Sequence, residues 1–255
     1  MKIRPCIDIH DGKVKQIVGS TLKDNSKAGP RENFVADRPP EWFSALFRDH
    51  GLTGGHVIML GPGNEDAARR ALNEWPGGLQ VGGGITAENA PYWIDQGASH
   101  VIVTSYVFHQ GLVDAERLAR LEKAVGKERI CLDLSCRKKD GDFFIVTERW
   151  QNFTKVPIGP QLLRELSRHA DEFLVHGVDV EGKCQGIDRE LVKLLAETTP
   201  IPTTYAGGAR SIEDAHTVLD LGNGRLDLTI GSALDIFGGT GVTFQEIVEF
   251  NRRHG

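Results

Sequence analysis

Long apolar runs are missing from this chain of 255 residues. Nothing in it approaches the ~18 consecutive apolar residues that mark a membrane-spanning helix, so no membrane partner is expected. Cysteine is scarce: the four are Cys6, Cys131, Cys136 and Cys184, and none stands in a CxxC pair. Zinc-ligand spacing is therefore absent. Met1-Lys2-Ile3-Arg4-Pro5 runs straight into a strand-like pattern, with no signal or transit peptide before it. The cysteines are expected to be reduced and metal-free. A basic face is also missing. Net charge is −5 and the Lys and Arg residues are scattered, which argues against a nucleic-acid partner. The expectation is a cytoplasmic globular protein, taken as a monomer although the sequence is silent on oligomeric state, with an ordinary 40% hydrophobic and 25% charged composition.

Short apolar runs alternate with amphipathic stretches. The strand-like runs are Ile3–Ile9, Gly55–Leu60, Leu79–Gly82, Val101–Thr104, Ile130–Leu134, Phe173–Val178, Pro202–Ala206 and Leu226–Ile230. The helical stretches are Pro40–His50, Asn64–Trp75, Ala87–Gln96, Leu112–Val125, Pro160–His169, Asp188–Glu197, Ser211–Leu221 and Thr243–Arg253. Ser211 and Thr243 are placed as N-caps, Gly97 and Gly222 as C-caps. Eight βα units predict a parallel sheet, and the length matches the ~250 residues of one (βα)₈ TIM barrel. A doubly wound open sheet is the competing architecture. Three connections, Ser20–Arg38, Cys136–Phe153 and Gly177–Ile187, are longer than a barrel needs. All follow strands, so they fall on the face that carries active sites. Asp140-Gly141 in the second reads as a hairpin turn.

An internal repeat separates the two architectures. Cys6-Ile7-Asp8-Ile9 resembles Cys131-Leu132-Asp133-Leu134, 125 positions on. Gly83-Gly84-Ile85 resembles Gly207-Gly208-Ala209 or, one step on, Gly208-Ala209-Arg210; Gly83 set against Gly208 keeps that offset, as do Glu88-Asn89-Ala90 against Glu213-Asp214-Ala215 and Gly97 against Gly222. Thr104-Ser105 then meets Gly231-Ser232 two positions later. Half-barrels of about 1–125 and 126–255, each with four βα units, close into one barrel domain over 1–255. An open sheet does not predict such a repeat. Neither half could bury its open sheet edges alone.

The repeated positions carry the chemistry. Ile3, Ile7 and Ile9 share one parity and face the helices, so Cys6 and Asp8 point into the barrel. Cys131 and Asp133 do the same in the other half. Two aspartates at opposed strand ends suit a reaction that needs one acid and one base. Gly83-Gly84 and Gly207-Gly208 each lie between a strand and a helix. There, backbone N–H groups free of side chains can close on a phosphate at a helix N-terminus. Each glycine turn is followed one strand later by a small position, Thr104-Ser105 or Gly231-Ser232. Two phosphate sites half a barrel apart imply a small bisphosphorylated ligand.

Other positions carry less. Trp150 follows strand five and suits stacking on a flat heterocycle. Arg137, Lys138 and Lys139 read as a solvated charge run. His176 and Asp179 close strand six within reach of a substrate. His10, His50, His56 and His100 lack ligand spacing and read as structural or surface residues.

Arg4-Pro5-Cys6-Ile7-Asp8-Ile9-His10-Asp11-Gly12-Lys13-Val14, Val81-Gly82-Gly83-Gly84-Ile85 and Tyr205-Ala206-Gly207-Gly208 together resemble the histidine-biosynthesis barrels. These comprise the ProFAR isomerases and their sisters, the cyclase subunits of imidazole glycerol phosphate synthase. The resemblance covers nearly the whole chain. Both sisters share the aspartates and the phosphate sites. The cyclase's functional lysine aligns with Gln16, which disfavours cyclase. Asp179-Val180-Glu181-Gly182 resembles the isomerase branch of fungi and plants; Gly177 stands near the threonine of the bacterial pattern. The resemblance implies an Amadori rearrangement of an aminoaldose to an aminoketose, with no metal and no cofactor. Asp8 is assigned as base and Asp133 as acid, although the two-fold repeat does not itself distinguish them. The alternatives are the cyclase, a phosphosugar isomerase with one phosphate site, and a barrel retained as a binding protein.

Overall fold

The computed structural model describes residues 1–17, 32–148 and 150–255. The strands and helices come in this order: β1 Ile3–Arg4, β2 Cys6–His10, β3 Lys13–Ile17, β4 Glu32–Val35, α1 Pro40–Asp49, β5 Gly55–Met59, α2 Glu65–Glu74, β6 Leu79–Gly82, α3 Ala90–Asp95 and β7 Val101–Val103. Then follow β8 Phe108–His109, β9 Leu112–Val113, α4 Ala115–Val125, β10 Ile130–Asp133, β11 Cys136–Lys139, β12 Asp142–Thr147, β13 Asn152–Pro157 and α5 Pro160–Leu166. The chain ends with β14 Glu172–His176, α6 Arg189–Thr198, β15 Thr203–Ala206, α7 Ile212–Gly222, β16 Leu226–Thr229 and α8 Phe244–His254.

The fold is a (βα)₈ barrel. Its parallel ladder runs β2, β5, β6, β7, β10, β14, β15, β16 and returns to β1. The first strand is interrupted at Pro5, which has no N–H to give to a ladder. The two pieces serve different neighbours: Ile3 pairs with Leu228 of β16, and Cys6 pairs with His56 of β5. That division closes the barrel.

Strand parity sets two apolar layers. Ile7, Ile9, Val57 and Leu132 face outward and pack with Phe43, Phe47, Leu72, Leu121, Leu163 and Leu195 of the helices. Each such side chain, fully buried, contributes about 1.5–3 kcal/mol of transfer free energy. A smaller inner cluster of Ile102, Cys131, Leu174 and Ala206, with Ile58 against it, fills the barrel interior. At the N-terminal end of the strands, Arg4 is the plug. Its Nη1 donates to Glu172 of β14 at 2.8 Å and its Nε to Asp227 of β16 at 2.7 Å, while Gln80 Nε2 of β6 donates to Glu172 at 2.6 Å.

Several local expectations need correction. The Ser20–Arg38 connection is not all loop: Glu32–Val35 forms a strand antiparallel to β3, and residues 18–31 lie outside the described residues. The fourth helix starts at Ala115, not Leu112, because Asp114 caps it by accepting from Arg117 N at 3.0 Å. Leu112 and Val113 instead pair with Phe108 and His109. The stretch after strand five is an antiparallel sheet, β11–β12–β13, that runs on to Pro157. Its turn is at Asp140-Gly141 with φ +52° and +96°, the left-handed pair that the type I′ hairpin requires. Gly222 lies inside α7, and Asn223, at φ +47°, takes the left-handed C-cap. Thr243 forms a full capping box with Glu246. Among the described residues, no helix is long and apolar enough to cross a membrane.

The repeat also sits slightly differently. Gly83 and Gly84 have φ +100° and +70°, and Gly207 and Gly208 have +124° and +74°. The equivalent pairs are therefore Gly83 with Gly207 and Gly84 with Gly208, one position off the register that relates Asp8 to Asp133. Of the two alignments the letters allow, the backbone conformation selects Gly83 with Gly207 over the constant-offset pairing of Gly83 with Gly208.

Candidate active site

The C-terminal strand ends open into a cavity of about 740 Å³. Asp8 and Asp133 line it, together with Gly83, Gly84, Thr104, Ser105, Gly207, Gly208, Gly231, Ser232 and Trp150. The ladder explains the two aspartates. Asp8 lies beside Ile58 on β5 and Asp133 beside Leu174 on β14, and both of those neighbours point into the barrel. Each carboxylate thus ends an inward-facing row.

The glycine turns are shaped by close approach. A Cβ on Gly83 would stand 2.2 Å from the Met59 carbonyl oxygen, and one on Gly208 would stand 2.2 Å from that of Gly186. Gly84 meets nothing within 4 Å. Its open side lies on the cavity, where a side chain would take up cavity space. Thr229 adds an unforeseen feature. Its Oγ1 is buried at the cavity wall with no hydrogen-bond partner among the described residues.

The two aspartates have unlike surroundings. Gln16 Nε2 donates to Asp8 Oδ2 at 3.2 Å, and Gln16 Oε1 accepts from Ser232 Oγ at 3.2 Å. One amide therefore joins an aspartate of β2 to a hydroxyl that follows β16 and lines the same cavity. Burial and the facing carboxylate of Glu181 push Asp8 up to about 7, against the opposite pull of His176 and Gln16. Asp133 accepts from Ser135 N at 2.8 Å and Ser135 Oγ at 2.6 Å. Burial would raise its carboxyl, but His176 and Ser135 outweigh burial and hold it below the usual range. His176 Nδ1 is 3.6 Å from Asp133 Oδ1 and 3.1 Å from Ser135 Oγ. Burial alone would depress the imidazole; Asp133, Glu181 and Asp8 lift it to about 9.

Of the two strand-six candidates, only His176 lines the cavity. Asp179 is turned away, bound by Arg137 Nε at 2.8 Å and by Lys138 N at 3.1 Å. Two members of the charge run are ion-paired at the surface, Arg137 with Asp179 and Lys138 with Glu190. His56, read as structural or surface, is buried at the cavity wall and held neutral; burial and the nearby His176 depress it to about 3. Trp150 lies with its ring 5.6 Å from that of His176, so the aromatic wall adjoins the Asp133 side.

Glu181 was legible only as part of a motif. It sits after β14, where no strand period points it anywhere, yet it lines the cavity, and burial raises its carboxyl. One trio of potential metal ligands lies elsewhere. His100, Asp171 and Glu172 cluster toward the N-terminal ends of the strands, where His100 holds Asp171 at 3.2 Å and Glu172 holds Arg4.

The chain matches the family model described as "Histidine biosynthesis protein" over residues 2–239. It is 53% identical to a chloroplastic protein of Medicago truncatula, over 99% of this chain and 82% of that one. It is 51% identical to a protein of Yarrowia lipolytica, over 99% and 98% of the two chains. A Neurospora crassa protein is 50% identical over 99% of each. All three relatives are named 1-(5-phosphoribosyl)-5-((5-phosphoribosylamino)methylideneamino) imidazole-4-carboxamide isomerase.

Proposed function

This chain belongs to the histidine biosynthesis protein family, and from that premise we propose that it isomerises ProFAR, the bisphosphorylated aminoaldose, to the matching aminoketose. The observation that carries the reading is one cavity holding two left-handed glycine turns and, between them, two carboxylates in opposed electrostatic settings. A ligand with a phosphoribosyl group at each end spans such a cavity. Gly83, Gly84, Thr104 and Ser105 receive one phosphate; Gly207, Gly208, Gly231 and Ser232 receive the other. Thr229 Oγ1 is satisfied by a ligand oxygen. Trp150 covers the imidazole carboxamide.

The rearrangement opens a furanose ring and moves a hydrogen from C2 to C1 of the sugar. Ring opening needs a proton on the ring oxygen; enolamine formation needs a base at C2. Asp8, with its carboxyl near 7, suits the base, since general catalysis is most effective near the working pH. The second proton-transfer group belongs to the Asp133 side. There Asp133 is held below its usual range and His176 is lifted to about 9, which favours a proton on the imidazole.

The test is to incubate purified protein with ProFAR, with and without ammonia, and to follow the products. Conversion to the ketose without ammonia is the expected result. Turnover of the ketose alone, and only when ammonia is present, would assign the chain to the sister cyclase reaction instead. Asp8→Asn and Asp133→Asn, each checked for folding, are expected to lose at least about a hundredfold in kcat.

A further inference from the structure

His176 has a position that the aspartate pair alone leaves unused. It ends β14, its side chain is 12% exposed, and it stands beside an Asp133 side chain that is 15% exposed. Its Nδ1 is committed to Asp133 and Ser135. Its Nε2 makes no hydrogen bond among the described residues, and the ring lies on the cavity wall against Trp150. One ring nitrogen is thus fixed by a carboxylate and a hydroxyl while the other is open to a ligand. That arrangement orients an imidazole and favours its protonated form.

Resting on the isomerase reading above, we infer that His176 is the catalytic acid of the ring-opening step, delivering its Nε2 proton to the furanose oxygen, with Asp133 and Ser135 as its positioning residues. The groups facing it support a charged imidazole: Asp133 from β10, Asp8 from β2 and Glu181 from the segment after β14 are carboxyls, and His56 from β5 is neutral. Asp133 accepts from Ser135 N and Oγ and lies 3.6 Å from the imidazole, contacts that hold its carboxyl below the usual range and favour the proton on the imidazole side.

The steps balance. The His176 proton goes to the ring oxygen as the C1–O bond breaks. That bond's electron pair stays on oxygen, and the glycosidic nitrogen's lone pair forms a C=N bond. Asp8 then takes the C2 proton; the freed pair forms C1=C2 and neutralises the nitrogen. Protonation of C1 by Asp8 and return of the C2 hydroxyl proton to His176 give the ketose and reset both groups. No oxidant and no net proton is needed.

The experiment compares wild type, His176→Asn and His176→Gln from pH 6 to 10, with thermal melts to establish folding. Wild-type kcat is expected to rise through a limb near 7 and fall through one near 9. Both variants are expected to lose the alkaline fall and at least about a hundredfold in kcat, with KM within about threefold. A purely structural role would not remove one limb of the profile. Folded variants with wild-type kcat, or with the alkaline limb intact, overturn the inference. If neither variant folds, NMR of ring-labelled histidine in the wild type decides. A His176 midpoint coinciding with the kinetic limb supports it, and one well away from the limb overturns it. Wild type inactive on ProFAR would sink the isomerase reading and this inference together; active wild type with unchanged variants sinks only the inference.

Discussion

At the scale of single residues, Gln16 shows how a residue gains meaning from partners far along the chain. Its amide stands between Asp8 and Ser232, 216 positions away in sequence in the second case. The hydrogen bond to Asp8 lowers a carboxyl that burial raises. Gln16→Leu is therefore expected to move the acid limb of the kcat/KM profile to higher pH; a limb that stays in place would show the amide has no hold on the base. Asp8 itself opposes stability at neutral pH. Its folded pKa, about 7, lies above its ordinary 3.8, so the native state binds the proton more tightly and stability falls as pH rises from about 4 to 7. Asp8→Asn removes that loss. It is expected to melt higher than wild type at pH 8 and to lose the advantage near pH 4. Each pKa unit is worth about 1.36 kcal/mol, and each kcal/mol about 2–4 °C in a chain of this length. Melting curves at both pH values check it; a difference independent of pH would contradict it. Asp8 and Asp133 were legible from strand parity because a period of two fixes direction. Glu181 and Ser135 were not, because each follows a strand end, where that period stops.

At the scale of elements, the glycine turns separate two reasons for glycine. Gly83 is required by packing, since any Cβ meets the Met59 carbonyl at 2.2 Å, and Gly83→Ala is expected to cost on the order of 3 kcal/mol in urea unfolding. For Gly84 the proposed reason is what binds. Gly84→Ala meets open space at φ +70°, so it is expected to lose only about 1–2 kcal/mol of stability. It is also expected to raise KM for ProFAR at least about tenfold, by crowding one phosphate. An unchanged KM would remove Gly84 from the phosphate site. Helices and barrel strands were readable from their periods, and Asp140-Gly141 from the turn geometry it permits. The two-residue ladder of β8 and β9 was not, since two residues cannot display a period. β4 was hidden for a different reason: its residues are mostly exposed, so no apolar alternation marks it.

At the scale of the whole molecule, closure depends on the first strand being shared between two neighbours, and Arg4 ties that strand to β14 and β16 beneath the barrel. Removing one partner of a buried ionic network leaves the others uncompensated, at a cost of about 3–5 kcal/mol. Arg4→Met is expected to lose stability of that order while kcat stays within about twofold, because the network lies at the end opposite the cavity. Urea unfolding and steady-state rates together test it. The two-half organisation was legible in the sequence, but the register at the glycine turns was not, because letters alone allowed two alignments that only backbone dihedrals separate.

The paired glycine turns have a consequence for recognition. On the proposed reading each turn seats a phosphate, and a cradle with the same anion seat at both ends does not tell a two-ended ligand which way to lie. A molecule loaded backwards would be held by both phosphates and presented with the wrong sugar at the reacting centre. Orientation must then come from whatever the duplication did not copy. Here that is the amide beside one aspartate and the serine, imidazole and indole beside the other. Handedness of loading in this barrel is thus a property of its divergence: in a chain restored to perfect internal symmetry the two directions would be one and the same complex, and neither would be preferred.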